Sequence, residues 1–147
     1  MTAASSRQRL RLDDGSIRAA LAREGWPCER IHANTWRSHF RGQRSSFPFL
    51  LHVTEGWLSV AVAPYLRSPK QEQRASRLYR RLLELNHTLL LAKFSIDDDL
   101  DVVLSVDYPT AELDHSELRD AIDVLAHYAD RHYDELRALA MPERSAT

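Results

Sequence analysis

The chain has 147 residues, 44% of them hydrophobic and 28% charged, with a net charge of −1. That length fits one domain able to bury its own core, and the composition excludes a disordered or fibrous chain. A single cysteine, Cys28, excludes an intrachain disulfide and a thiolate metal cage, so folding calls for neither an oxidising compartment nor zinc.

Residues 1–12 are small, polar and Arg-rich and are expected to form a flexible N-terminal tail. They lack the apolar run of a secretory signal, and stretches such as Phe49-Leu50-Leu51 and Leu89-Leu90-Leu91 are far too short to span a membrane. The chain therefore reads as cytoplasmic, with no membrane partner. A single domain is expected over residues 13–140, followed by a C-terminal tail at 141–147.

Ile17, Ala20, Leu21 and Trp26 recur at helical spacing after Asp13-Asp14-Gly15-Ser16, which can cap a helix that Gly25 and Pro27 end. Three strands are predicted next, from Trp36 to Arg41, Phe47 to Thr54 and Trp57 to Leu66. A polar loop at 42–46 joins the first two, and Glu55-Gly56 reads as a tight hairpin turn. On the third strand Leu58, Val60, Val62 and Leu66 form an aliphatic face, opposite Trp57, Ser59, Ala61, Ala63 and Tyr65.

Ser68-Pro69-Lys70-Gln71 has the spacing of a capping box with proline at the first helical position. Leu78, Tyr79, Leu82, Leu85 and Leu89 continue that helix as one stripe, and Asn86 is a candidate left-handed C-cap. Strands from Leu91 to Ile96 and Leu100 to Val106 follow, turning at Asp97-Asp98-Asp99. Asp114-His115-Ser116-Glu117 is a second capping box, opening an amphipathic helix that runs to about Ala140. The order is α-β-β-β-α-β-β-α, an α+β domain with a twisted antiparallel five-stranded sheet and packed helices.

Motifs for catalysis fail one by one. His127 and His132 are five apart, not the four of a helical metal pair. Asp97-Asp98-Asp99-Leu100-Asp101 begins like a calcium loop, but Val102 stands where the turn needs glycine and Tyr108 where a bidentate Glu belongs. No Gly-x-Ser-x-Gly elbow exists, and four scattered glycines cannot cradle a phosphate. The expectation is a non-enzyme without metal or cofactor. Residues 1–47 carry nine arginines against four acids, whereas the remainder carries eleven basic and seventeen acidic residues, which argues against a nucleic-acid partner. The best basic patch, Lys70, Arg74, Arg77, Arg80 and Arg81, is diluted by Glu72 and Glu84 and reads as a solvated helix face.

From Trp57 to Leu139 the sequence resembles the YbjN family, which shares its fold with type III secretion chaperones. The resemblance rests on Leu85-Asn86 at the end of the second helix, the strand Lys93-Phe94-Ser95-Ile96-Asp97, and Leu113 and Leu118 leading into the last helix. It implies a homodimeric domain that is chaperone-like and holds an extended segment of another protein. Trp36, Phe40, Phe47, Phe49 and Trp57, dense in one stretch, are the candidate partner-binding surface, alongside an exposed sheet edge onto which a partner strand adds. The alternative is a regulatory or scaffold subunit of a stable complex; a small-molecule sensor or an enzyme without a motif comes after both.

Overall fold

The computed structural model describes residues 8–43 and 45–142. Helix α1 (Asp14–Arg23) starts where Asp13 accepts the Ser16 N–H at 2.8 Å, and it ends before Gly25, whose φ of 80° suits glycine. Strands β1 (Glu29–His32), β2 (Thr35–Arg41), β3 (Ser46–Thr54) and β4 (Trp57–Arg67) form an antiparallel meander. Helix α2 (Glu72–Asn86), strands β5 (Lys93–Ile96) and β6 (Asp101–Pro109), and helix α3 (His115–Ala140) complete the chain. The sheet has six strands in the order β1-β2-β3-β4-β6-β5, every pair antiparallel.

The α+β class holds, with one strand more than expected. The additional strand, β1, has no apolar alternation, since three of its four residues are exposed, and pairing with β2 rather than burial makes it a strand. The tail assignment for 1–12 also changes over its described part. Leu10 is buried, its N–H donates to the Leu113 carbonyl at 2.8 Å, and the His115 N–H donates to the Gln8 carbonyl at 3.1 Å. Residues 1–7 and 143–147, the outer parts of the two expected tails, lie outside the described residues.

One face of the sheet is apolar and carries the helices. Along β2, β3 and β4 the register aligns Trp36, Leu51 and Val60, and β6 adds Val106 beside them. Ile17 and Leu21 of α1, Leu78, Leu82 and Leu85 of α2, and Leu118, Ile122, Leu125, Ala129 and Leu136 of α3 close over this face. Aromatic rings run through the core as a connected series, from Trp26 to Phe49 (6.1 Å between centroids), Phe40 (5.6 Å), Phe47 (5.6 Å), Tyr65 (5.8 Å) and Phe94 (5.8 Å). Such edge and offset contacts each add to the burial of the rings themselves.

Tyr65 enters this series because the alternation of β4 slips. The register with β6 shifts between Val62 and Leu66, so Tyr65 turns inward and Leu66 becomes only half-buried. The Tyr65 hydroxyl then donates to the Ala129 carbonyl of α3 at 2.6 Å, and burial pushes its phenol far up, keeping it protonated.

The two expected capping boxes part company. At α3 both halves are present: Asp114 accepts from the Ser116 N–H at 2.8 Å, and the Asp114 N–H donates to Glu117 at 3.2 Å. At α2 the helix starts at Glu72 after Gln71, which makes no side-chain cap, and the Ser68 hydroxyl is buried without a partner among the described residues. Nor is Asn86 a left-handed cap; it is the last helical residue, followed by His87 in the right-handed region.

Candidate functional site

Four of the five aromatic candidates are core residues. Trp36, Phe40, Phe47 and Phe49 all lie on the helix-covered face with 5% exposure or less, so none of them presents a surface to a partner. Their density reflects the ring series described above. The Trp36 indole N–H also donates to Asp14 at 2.9 Å, tying α1 to β2; this bond and then Arg18 hold the Asp14 carboxyl below the usual carboxylate range. Trp57 alone is exposed, at 51%, on the uncovered face at the tip of the β3–β4 hairpin.

The sheet edge beside β2 is open over part of its length. β1 pairs with Thr35, Trp36 and Arg37, and no β1 partner reaches Ser38–Arg41. The direction of the peptide groups follows from two bonds that bracket β2. The Val53 N–H donates to the Asn34 carbonyl at 2.9 Å, and the Gly42 N–H donates to the Ser45 carbonyl at 2.8 Å. Even-numbered residues therefore face β3, and odd-numbered residues face the β1 side. Thr35 and Arg37 meet β1, which leaves the N–H and C=O groups of His39 and Arg41 pointing outward with no strand beside them among the described residues.

A groove of about 450 Å³ lies along this edge, lined by Pro27, Cys28, Glu29, Arg37, Ser38, His39 and Pro48. Ser38 is 4% exposed, and its hydroxyl has no hydrogen-bond partner among the described residues. Burial pushes the Cys28 thiol up, so it is a poor nucleophile there. Residues 42 and 43 are fixed against α3, where Gln43 donates its N–H to Asp130 at 2.9 Å and Gly42 sits so close that an added Cβ would meet Asp130 Oδ1 at 2.5 Å.

Helix α2 offers a second apolar surface. Glu72, Ala75, Ser76, Tyr79, Arg80 and Leu83 line a shallow groove on its outer side, with Leu83 70% exposed. The basic patch on this helix is partly committed elsewhere. Arg81 pairs with Glu135 of α3, and Arg74 donates to the Met141 carbonyl.

On the uncovered face Thr35, His52, Ser59 and Asp107 align across four strands. Serine, histidine and aspartate in one row invite comparison with a nucleophile, base and orienting acid, but the bonds run otherwise. His52 Nδ1 meets the Thr35 hydroxyl at 2.8 Å, whereas Asp107 bonds Ser59 and the Lys93 ammonium, the latter at 3.0 Å. Burial alone would raise the Asp107 carboxyl; those two partners outweigh it and leave it lowered. Among the described residues no acid orients the histidine, so the row lacks the order of a nucleophile, base and orienting acid. The aspartates at 97–101 serve their turn: Asp97 Oδ1 accepts the Asp99 and Asp101 N–H groups. Among the described residues no cluster of ligating side chains could hold a metal ion, and no helix is long and apolar enough to cross a membrane.

Sequence reasoning expected an exposed sheet edge but did not place it at β2, because an edge is a backbone site with no side-chain signature of its own. It did not find the α2 groove, because Leu83 lies outside the stripe of Leu78, Tyr79, Leu82, Leu85 and Leu89.

Three helices on one side of an open antiparallel sheet define an α+β fold similar to that of type III secretion chaperones. Similar solved structures include the heterodimeric ExoU–SpcU complex from the type III secretion system of Pseudomonas aeruginosa, where the matched chain is 19% identical with a TM-score of 0.59, over 86% of this chain and 99% of that one. The ExsC–ExsE complex matches at 13% identity and TM-score 0.57, over 83% and 94%. YbjN from E. coli matches at 12% identity and TM-score 0.56, over 87% and 95%. The chain belongs to the YbjN family, described as "Putative bacterial sensory transduction regulator", whose model matches residues 13–138. No curated protein sequence matches it.

Proposed function

We propose that this protein is a non-enzymatic, chaperone-like binding module of the cytoplasm that holds an extended segment of a partner protein by strand addition at β2. The observation that carries this reading is the pair of outward peptide groups at His39 and Arg41, unpaired among the described residues, beside an open groove. Strand addition draws affinity from main-chain hydrogen bonds and specificity from the pockets beside them. Pro27, Cys28 and Pro48 supply the apolar wall of such a pocket. Its similarity to chains solved with protein partners supports a protein ligand.

The test is amide hydrogen exchange on the complex isolated from the native cell. Protection appearing at His39 and Arg41 on binding supports the reading; exchange unchanged at both amides overturns it. His39→Pro removes one outward donor without touching the β3 ladder, so the variant keeps its fold and loses its partner.

A regulatory or scaffold subunit is the second reading, favoured by the outward stripe on α2 and by the family's description. That stripe also suits a homodimer, since a two-fold axis would set each Leu83 against the Ala75, Ser76 and Tyr79 groove of the other copy. Leu83→Glu, followed by sedimentation, separates the two uses: a monomer that still captures a strand places dimerisation on α2 and partner binding on β2.

A further inference from the structure

The β5 edge faces the same hazard as the β2 edge, because among the described residues β5 is the last strand of the sheet and pairs only with β6. The Asp97 N–H donates to the Asp101 carbonyl at 3.0 Å, so residues 93, 95 and 97 turn toward β6. Phe94 and Ile96 therefore point their peptide groups outward.

At Phe94 those groups are already occupied. Its N–H donates to Asn86 Oδ1 at 2.7 Å, and Asn86 Nδ2 donates to the Phe94 carbonyl at 3.0 Å. A carboxamide carries the same donor and acceptor as a peptide unit, so Asn86 makes the two bonds that a neighbouring strand would make. Its position is fixed by the buried Leu82 and Leu85 just before it on α2. No other side chain does this as well: aspartate lacks the donor, and glutamine is longer by one methylene. Beside the strand Leu90 and Leu91 are 76% and 51% exposed, leaving apolar surface next to the blocked edge.

We propose that Asn86 is an edge latch, whose carboxamide occupies the outward peptide groups of Phe94 and keeps β5 from pairing with β5 of a second copy. A second copy is the occupant because antiparallel pairing of β5 with itself is isologous, so the same four residues serve both sides. Pairing would also cover Leu90 and Leu91. The strand carries a single charge, Lys93, which alone is weak protection against such association. This inference is independent of strand addition at β2, because it concerns the opposite edge of the sheet.

Hydrogen exchange on the unmodified protein gives the first test. The Phe94 amide should exchange at least about tenfold more slowly than the Ile96 amide, which points the same way without a latch. Equal rates would overturn the proposal. In Asn86→Ala the Phe94 amide should exchange as fast as that of Ile96, and sedimentation should show concentration-dependent association absent from the wild type. Adding Ile96→Pro, which removes the other outward donor, should return the protein to the wild-type mass. Wild-type mass for Asn86→Ala at every concentration, or association that survives Ile96→Pro, overturns the latch. Should Asn86→Ala fail to fold, Asn86→Asp carries the same test: it retains the acceptor for the Phe94 N–H and frees the carbonyl, so it should associate while keeping that amide slow.

Discussion

The two edges of the sheet are closed by different means. At the β5 edge a helix-end side chain reaches over and completes the strand, whereas at the β2 edge a short strand covers Thr35–Arg37 and leaves His39 and Arg41 bare. Exposed edges invite pairing and are ordinarily blunted by bulges, charges, covering elements or closure. An edge that is left open next to a groove, in a chain that blocks its other edge, is the place to look for a partner. The difference also teaches where stability sits. The β2 end is held by packed rings; at the β5 end, where Phe94 closes that series, polar contacts from α2 and α3 hold the loop and the strand edge.

The largest effect is expected in the ring series. Phe49 is fully buried between Phe40 and Trp26, so Phe49→Ala should cost about 3–5 kcal/mol in urea denaturation. That loss would establish the β2–β3 aromatics as structure. A cost under about 1 kcal/mol would mean that the rings are loosely packed and free to serve a partner.

At the other end the contacts are thinner. The loop before β5 is fastened to α3 by the Leu90 N–H, which donates to the Tyr128 hydroxyl at 3.1 Å. Tyr128→Phe should therefore cost only about 0.5–1.5 kcal/mol and speed exchange of the Leu90 amide, leaving the rings around Phe49 untouched. Equal destabilisation by Tyr128→Phe and Phe49→Ala would erase the contrast between the ends.

The β5 end should also be the pH-sensitive one. His132 of α3 stacks on Tyr128 and meets the edge of Phe94, at 6.2 and 6.4 Å between centroids. Burial, then the Arg131 charge, lowers its pKa below the ordinary 6.5, with Arg81 and His127 adding and Glu135 opposing. The folded protein thus releases this proton more readily than the unfolded chain, so stability is complete above pH 6.5 and declines as the pH falls below it. Urea midpoints measured between pH 7.5 and 5.5 should fall, and His132→Gln should flatten that fall. A slope that survives the substitution belongs to other groups.

The fold was legible where local chemistry and tertiary packing agree. The Asp114 capping box, the Glu55-Gly56 turn and the stripe of α3 all point one way in sequence and structure. Where they disagree, tertiary contacts win. Ser68 has the spacing of a cap but is spent on a buried stretch before Gln71, and the register shift between Val62 and Leu66 turns Tyr65 into the core against the alternation of β4. Leu85-Asn86 stood out as a family mark, yet no local pattern reveals that the Asn86 carboxamide acts as a piece of strand. β1 and the position of the open edge were illegible for one reason: both are defined by backbone pairing, and backbone groups are the same at every residue.

Trp57 gives the smallest expected effect and the sharpest test of where binding occurs. It stands opposite Thr54, six to eight residues along the strand direction from the level of His39 and Arg41, or roughly 20–26 Å at about 3.3 Å per residue. Being half-exposed at a hairpin tip, it can be replaced by serine with a change in stability of about 0.5 kcal/mol or less. One extended segment lying along β2 would pass it by. Trp57→Ser should therefore leave partner affinity unchanged while His39→Pro abolishes it, both measured on the same isolated partner by calorimetry. A drop in affinity for Trp57→Ser with none for His39→Pro would move the binding surface to the uncovered face and leave the β2 edge as an ordinary short end of a sheet.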